Sequence, residues 1–288
     1  MKKAELLTAI ITPFDEQNKV NFPAMDRLMD ALIEQGSDGF VVGGTTGESA
    51  TMTHDEQLEV YRHTAEYING RVPLIVGTGS NNTQASIDFT KEVSQIDGID
   101  AALVVTPYYN KPNQKGMLAH FSKIANEGGL PVILYNIPGR SIVKLDNESV
   151  IELAKNPNII GVKQVTSVED IKFIVENTAD DFLVYSGEDA QALAAKKVGA
   201  NGVISVASHV VAKEMHDMYA AFDAGNVADA DAINAVLVDK MKAVFMLPSP
   251  APVKAALNHM GMRVGTPRLP ILPLDEQEEK QLFKILGI

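Results

Sequence analysis

Apolar residues along this chain fall into short runs, each followed by a polar turn and then a stretch of helical periodicity. The runs span residues 6–12, 39–43, 73–77, 101–106, 131–136, 159–165, 182–186 and 202–206. Their length and β-branched content read as buried strands. Between them, residues 23–35, 54–69, 83–94, 114–126, 148–155 and 212–224 repeat apolar positions at helical spacing. Thr53 ahead of His54-Asp55-Glu56, and Ser167 ahead of Val168-Glu169-Asp170, are helix-capping sequences. Strands that alternate with helices pair in parallel through right-handed crossovers. Eight such units predict an α/β fold, a closed (β/α)8 TIM barrel over residues 1–225. From residue 226 the pattern changes. Three helical stretches, 227–245, 251–260 and 275–286, follow with no strand between them, punctuated by Pro248, Pro250 and Pro252 and by Pro267, Pro270 and Pro273. They predict a C-terminal three-helix appendage over 226–288, packed on the barrel.

Composition narrows the function classes. The 288 residues are 45% hydrophobic and 22% charged, ordinary values for a globular chain. A net charge of -12 repels phosphate backbones and anionic lipid, and argues against nucleic-acid and membrane partners. No apolar run approaches the ~18 residues of a membrane span. Met1-Lys2-Lys3 before an apolar stretch resembles a leader, but Pro13 closes that stretch and no small-x-small site follows, so it reads as a first strand. The absence of cysteine removes disulfides, thiolate metal sites and a cysteine nucleophile, and fits a cytoplasmic protein.

In a TIM barrel the chemistry sits where the strands end, on the βα loops. After the second run comes Gly43-Gly44-Thr45-Thr46-Gly47-Glu48-Ser49. Its glycines admit a ligand close to the backbone, and two hydroxyls beside free N–H groups can hold a carboxylate. A tight turn is the competing reading, and the spacing is not that of a Walker loop. Gly77-Thr78-Gly79-Ser80-Asn81-Asn82 reads as a turn. The fourth and fifth runs end in Thr106-Pro107-Tyr108-Tyr109-Asn110-Lys111-Pro112 and Tyr135-Asn136-Ile137-Pro138-Gly139-Arg140, so three of the seven tyrosines share the rim. Phenol hydroxyls relay protons, and a guanidinium captures a carboxylate through two hydrogen bonds. A surface salt bridge is the plainer reading of Arg140.

The sixth run, Ile159-Ile160-Gly161-Val162-Lys163-Gln164-Val165, carries a lysine inside an apolar strand. Lysine is rarely buried without a partner. Alternation places Gly161, Lys163 and Val165 on one face and Gln164 on the other. If the lysine face points inward, Gly161 leaves room for a substrate beneath it. Desolvation disfavours the ammonium form and frees the amine to attack a carbonyl, the first step of a Schiff base. A lysine snorkelling out at the strand end is the alternative. The six histidines show no metal-ligand spacing, and His209 reads as a structural histidine near the eighth strand. Ser205 and Ser208 lack triad partners, and Glu188-Asp189 reads as a helix cap.

Together the motifs Gly44–Ser49, Thr106–Pro112, Tyr135–Arg140 and Gly161–Lys163 resemble the dihydrodipicolinate synthases, within the pyruvate-dependent aldolase superfamily that includes N-acetylneuraminate lyase. The resemblance continues through Ser186–Asp189, Gly202–Val206 and Pro252-Val253-Lys254 to Arg268-Leu269-Pro270. It implies a lyase in which Lys163 forms the Schiff base with pyruvate. Thr46 and the Thr45–Thr46 backbone would hold the pyruvate carboxylate. Tyr135 would pass protons, with Thr45 and Tyr109 completing a hydroxyl relay. Tyr109 would reach in from a neighbouring subunit, which implies a dimer and, in the family's usual form, a tetramer. Arg140 would bind the carboxylate of aspartate semialdehyde, and Gly187 and the Ile204 carbonyl would line the pyruvate pocket. Neither a cofactor nor a metal is implied. A sugar-acid aldolase of the same superfamily and a non-catalytic keto-acid sensor are the competing readings. Arg140 and the Thr45-Thr46 pair favour the synthase.

Two positions depart from the family pattern. Gln164 stands where an acidic residue is common, and Ser141-Ile142 replaces a frequent Thr-Gly, which could alter the loop holding Arg140. The lysine-feedback site of some relatives maps to Ser49, Ala50, His54, Gln57, Asn81, Ala85 and Tyr108. Gln57 and Ala85 replace the histidine and glutamate of lysine-sensitive members, which implies weak or absent inhibition by lysine.

Overall fold

In the computed structural model, which describes residues 4–288, eight strands form one parallel closed barrel in chain order. They are Leu6–Ala9 (β1), Gly39–Val42 (β2), Leu74–Gly77 (β3), Ala101–Val105 (β4), Val132–Asn136 (β5), Ile159–Gln164 (β6), Leu183–Ser186 (β7) and Gly202–Ser205 (β8). The last pairs with the first, Leu7 beside Ile204 and Thr8 beside Ser205. All eight strands fall within the expected runs. The reading of Met1-Lys2-Lys3 lies outside the described residues.

Period-two alternation explains the layering. On β4 and β5 the side chains of Ala101, Leu103, Ile133 and Tyr135 join the cluster that fills the barrel. Their neighbours Ala102, Val104, Val132 and Leu134 pack outward, with Val162 and Val184, against the helices. Both faces are buried, so the strands are almost continuously apolar, as parallel sheets demand. The strand β1 ends three residues before its run does. There the Ile11 N–H donates to His209 Nε2 at 3.1 Å and Thr12 Oγ1 donates to the Gly47 carbonyl at 2.7 Å. The chain thus leaves the ladder while staying buried.

The helices Phe22–Glu34, His54–Ile68, Thr83–Val93, Gln114–Glu127 and Asn147–Leu153 lie within about a residue or two of expectation. Thr53 and Glu56 form the capping box that opens the second of these. The helix Ser208–Asp223 starts four residues earlier than its pattern, across a kink at Val211. Two short helices, Pro138–Ser141 and Ala192–Lys197, are too brief for periodicity to reveal. Past the barrel, Val227–Ala243, Ala251–His259 and Glu276–Leu286 are helical as expected. Among the described residues no helix is long and apolar enough to cross a membrane.

Candidate active site

Lys163 lies on β6 level with Tyr135 of β5 and Tyr185 of β7. Tyr135 and Tyr185 belong to the interior cluster, so the register puts the lysine on the inward face. Its residue is 6% exposed, and its Nζ stands 4.5 Å from the Tyr135 ring centroid. Among the described residues no carboxylate comes within ion-pair distance of it. A buried amine held against a phenol, without a salt-bridge partner, suits nucleophilic attack on a carbonyl. Gln164 points the other way, fully buried, and its Oε1 accepts from Asn136 Nδ2 at 3.2 Å.

Gly161 departs from expectation. A Cβ there would meet the Leu183 carbonyl oxygen at 2.4 Å. The glycine serves the close approach of β6 to β7, and does not make room for a ligand. The glycine that shapes the lysine's surroundings is Gly187, where a Cβ would stand 2.7 Å from Lys163 Cε and 2.5 Å from Val165 Cγ2.

A cavity of about 460 Å³ opens at the C-terminal ends of β2–β5. Gly44, Thr45, Tyr108, Tyr135 and Arg140 line it. Gly43 takes φ +65°, and Tyr61 Oη sits where its Cβ would be while donating to the Gly77 carbonyl at 2.5 Å. Thr45 is exposed to the cavity and Thr46 is buried. Gly77–Ser80, expected to be a plain turn, also walls the cavity. So do Ser49, Ala50, His54, Gln57 and Ala85.

Arg140 sits on the helix Pro138–Ser141, exposed, with no carboxylate partner among the described residues. The Ser141 hydroxyl accepts from Thr106 Oγ1 at 2.9 Å and lies 2.8 Å from the Val143 carbonyl, tying that helix to the end of β4. Ile142 then adopts φ +70°, which a β-branched residue rarely does. Tyr109 does not enter the cavity of its own chain. It takes φ +72° and is 88% exposed, while Asn81 Nδ2 donates to the Tyr108 carbonyl at 3.1 Å and Asn110 Nδ2 to the Asn81 carbonyl at 2.9 Å.

Sequence reasoning missed Asp189. Its carboxylate is buried, and accepts from Ser205 Oγ and from the Val206 and Ala207 N–H groups at 3.0 and 3.2 Å. It thereby ties the end of β7 to the end of β8, which carries Ile204. Burial pushes its carboxyl up, against the Ser205 hydrogen bond, the two backbone N–H groups and the Lys163 charge. Burial and the Asp189 charge raise neighbouring Glu188 as well, with Lys163 opposing. His209 is the structural histidine expected, its ring held between the Ile11 N–H and the Val206 carbonyl.

The sequence matches the Dihydrodipicolinate synthetase family over residues 2–288. A 4-hydroxy-tetrahydrodipicolinate synthase of Pediococcus pentosaceus is 54% identical over 288 residues, all of this chain and 96% of that one. The crystal structure of dihydrodipicolinate synthase DapA-2 from Bacillus anthracis superposes with a TM-score of 0.97 at 47% identity, covering 100% of this chain and 98% of that one. A chloride-inhibited dihydrodipicolinate synthase from Acinetobacter baumannii, complexed with pyruvate, gives 0.94 at 37% identity with both chains fully covered. These matches run from end to end and agree with the barrel, its rim and the lysine strand: the chain belongs to the dihydrodipicolinate synthetase family.

Proposed function

We propose that this protein is a cytoplasmic Schiff-base lyase that condenses pyruvate with L-aspartate 4-semialdehyde to 4-hydroxy-tetrahydrodipicolinate. The observation that carries the reading is Lys163, buried and unpaired against Tyr135, beside a cavity rimmed by Thr45 and Arg140. The Lys163 amine attacks the pyruvate ketone and water leaves, giving an imine. The Thr46 hydroxyl and the Thr45–Thr46 backbone hold the carboxylate, with Gly187 and the Ile204 carbonyl around the methyl end. Tyr135 carries the protons of addition and dehydration, in a relay with Thr45 and Tyr109. Loss of a methyl proton gives the enamine, which attacks the aldehyde carbon while Arg140 grips the second substrate's carboxylate. The substrate's own amine then displaces Lys163 and closes the ring, regenerating the free lysine.

Tyr109 projects from its own subunit, so a complete relay needs a second copy of the chain, and the active form is a dimer or a dimer of dimers. The unpaired Arg140 favours this substrate over the polyhydroxylated aldehydes of sugar-acid aldolases.

Turnover with pyruvate and aspartate semialdehyde, run beside N-acetylneuraminate, tests the assignment. Borohydride with pyruvate should leave a stable adduct on the wild-type chain and none on Lys163→Ala. Arg140→Ala should lower kcat/KM for the semialdehyde by about 100-fold, the loss of a charge-assisted bidentate contact, and leave the pyruvate adduct intact. An adduct on Lys163→Ala, or full turnover by Arg140→Ala, would overturn these roles.

A further inference from the structure

Glu48 closes the loop that carries Thr45 and Thr46, yet its side chain turns away from the cavity. The residue takes φ +59°, an uncommon conformation for a glutamate, and its side chain is 4% exposed. Its carboxylate is buried between the barrel and the C-terminal helices. There Lys254 Nζ, on the helix Ala251–His259, lies 2.5 Å from Oε1, and the Arg268 backbone N–H donates to Oε2 at 2.8 Å. Lys254 also donates to the Thr266 carbonyl at 3.2 Å. The Arg268 guanidinium binds Glu56 through two hydrogen bonds of 2.6 and 2.9 Å and donates to the Thr51 carbonyl at 2.9 Å. Both cations lie 4.2 Å from the ring centroid of Phe14.

The backbone on the other side of Glu48 leads to the site. The Glu48 N–H donates to the Thr45 carbonyl at 3.1 Å, and the Glu48 carbonyl accepts from the Thr51 N–H and Oγ1 at 3.0 and 3.1 Å. The position of one carboxylate therefore sets the pitch of the whole turn. Stability does not account for such a pair. Desolvation of a buried ion pair commonly outweighs its attraction, and apolar residues of the same shape are often as stable. Burial drives Lys254 down to about 8, with the Glu48 carboxylate opposing.

We propose that Glu48 is a positioning residue, through which Lys254 and Arg268 of the helical tail hold the Thr45–Thr46 backbone in the geometry that receives the keto-acid carboxylate. This rests on reading Thr45–Thr46 as the pyruvate cradle. The role predicts a selective defect. Without the clamp the cradle loosens, pyruvate binds less well, and the second substrate, held by Arg140 across the cavity, is unaffected.

Glu48→Gln keeps shape and an acceptor for the Arg268 N–H but loses the charge, and Lys254→Met removes the cation along the same path. Each single variant should raise KM for pyruvate, and the pyruvate concentration that half-saturates borohydride trapping, by about tenfold, the loss of one charge-assisted contact. KM for aspartate semialdehyde should stay within about twofold. The double variant leaves no unpaired buried charge, so it should recover Tm towards wild type without recovering the pyruvate constants. It also supplies the readout if a single variant does not fold. Leu286→Ala, which truncates a buried side chain of the last helix that bonds to neither Glu48 nor Lys254, should lower Tm and leave both KM values unchanged. The proposal falls if Glu48→Gln or the double variant traps pyruvate at the wild-type concentration, or if Leu286→Ala shifts the pyruvate constants equally. Failure of the wild-type chain to trap pyruvate at all would instead refute the reading of the site.

Discussion

Acid should weaken this protein through one buried imidazole, and His209→Gln isolates the effect. The ring Nδ1 of His209 stands 2.8 Å from the Val206 carbonyl, so it carries the proton there, and Nε2 accepts from the Ile11 N–H at 3.1 Å. A second proton on Nε2 would remove that acceptor and confront the Ile11 N–H with another donor. Burial accordingly drives the imidazole down to about 4 from 6.5, with the Val206 carbonyl opposing. The sign follows from proton counts. Between pH 6.5 and 4 the unfolded chain binds a proton at this residue and the folded chain does not, so stability falls as pH falls through that window. At roughly 1.4 kcal/mol per pH unit the loss reaches about 3 kcal/mol by pH 4. His120, also driven down to about 4 by burial, adds a loss of the same sign, and buried Asp189, pushed up, opposes it. Both are common to wild type and variant and cancel in their difference. His209→Gln should be about 1–2 kcal/mol less stable at pH 7, having lost part of the hydrogen-bonded bridge. Urea unfolding of both proteins, at one chain concentration and at intervals from pH 7.5 to 4, reads the gap directly. It should narrow by about 3 kcal/mol on acidification and reverse sign near the acid end. Parallel curves would refute the reasoning, since they would mean that His209 takes up its proton equally in the folded and unfolded chains.

Two further substitutions probe the site's supports. Gly187→Ala places a methyl group 2.7 Å from Lys163 Cε and must push the lysine chain aside. A displacement of about 1 Å at the reacting group should reduce kcat/KM about 100-fold in steady-state assay, and wild-type rates would show that the lysine moves without consequence. Asp189→Asn leaves one acceptor oxygen for Ser205, Val206 and Ala207 and turns an amide toward an N–H donor. It should cost about 2–3 kcal/mol by urea denaturation, and a loss under about 0.5 kcal/mol would mean that the carboxylate holds little.

The strands, and the face on which Lys163 lies, were legible because a buried parallel strand imposes a period of two on its residues. Tyr135 was legible as the end of the fifth run, but its place level with the lysine comes from the pairing of β5 with β6. What lay across the barrel was not legible. Gly161 and Gly187 look alike in sequence, yet one accommodates a neighbouring strand and the other the lysine itself. Asp189 precedes a helical turn and so reads as a cap, whereas its partners are 16 to 18 residues further on and become neighbours when β7 and β8 pair. Tyr109 follows the fourth strand, and the left-handed backbone that turns it outward leaves no periodic trace.

The contact between Glu48 and Arg268 joins positions 220 residues apart. During synthesis the loop after β2 leaves the ribosome 220 residues ahead of the Arg268 group that anchors it. A chain halted before the tail would hold the lysine strand and much of the barrel without the anchor of the Thr45–Thr46 loop. The final set of the turn after β2 thus awaits the C-terminal helices, so a chain halted before them carries Glu48 without either of its partners.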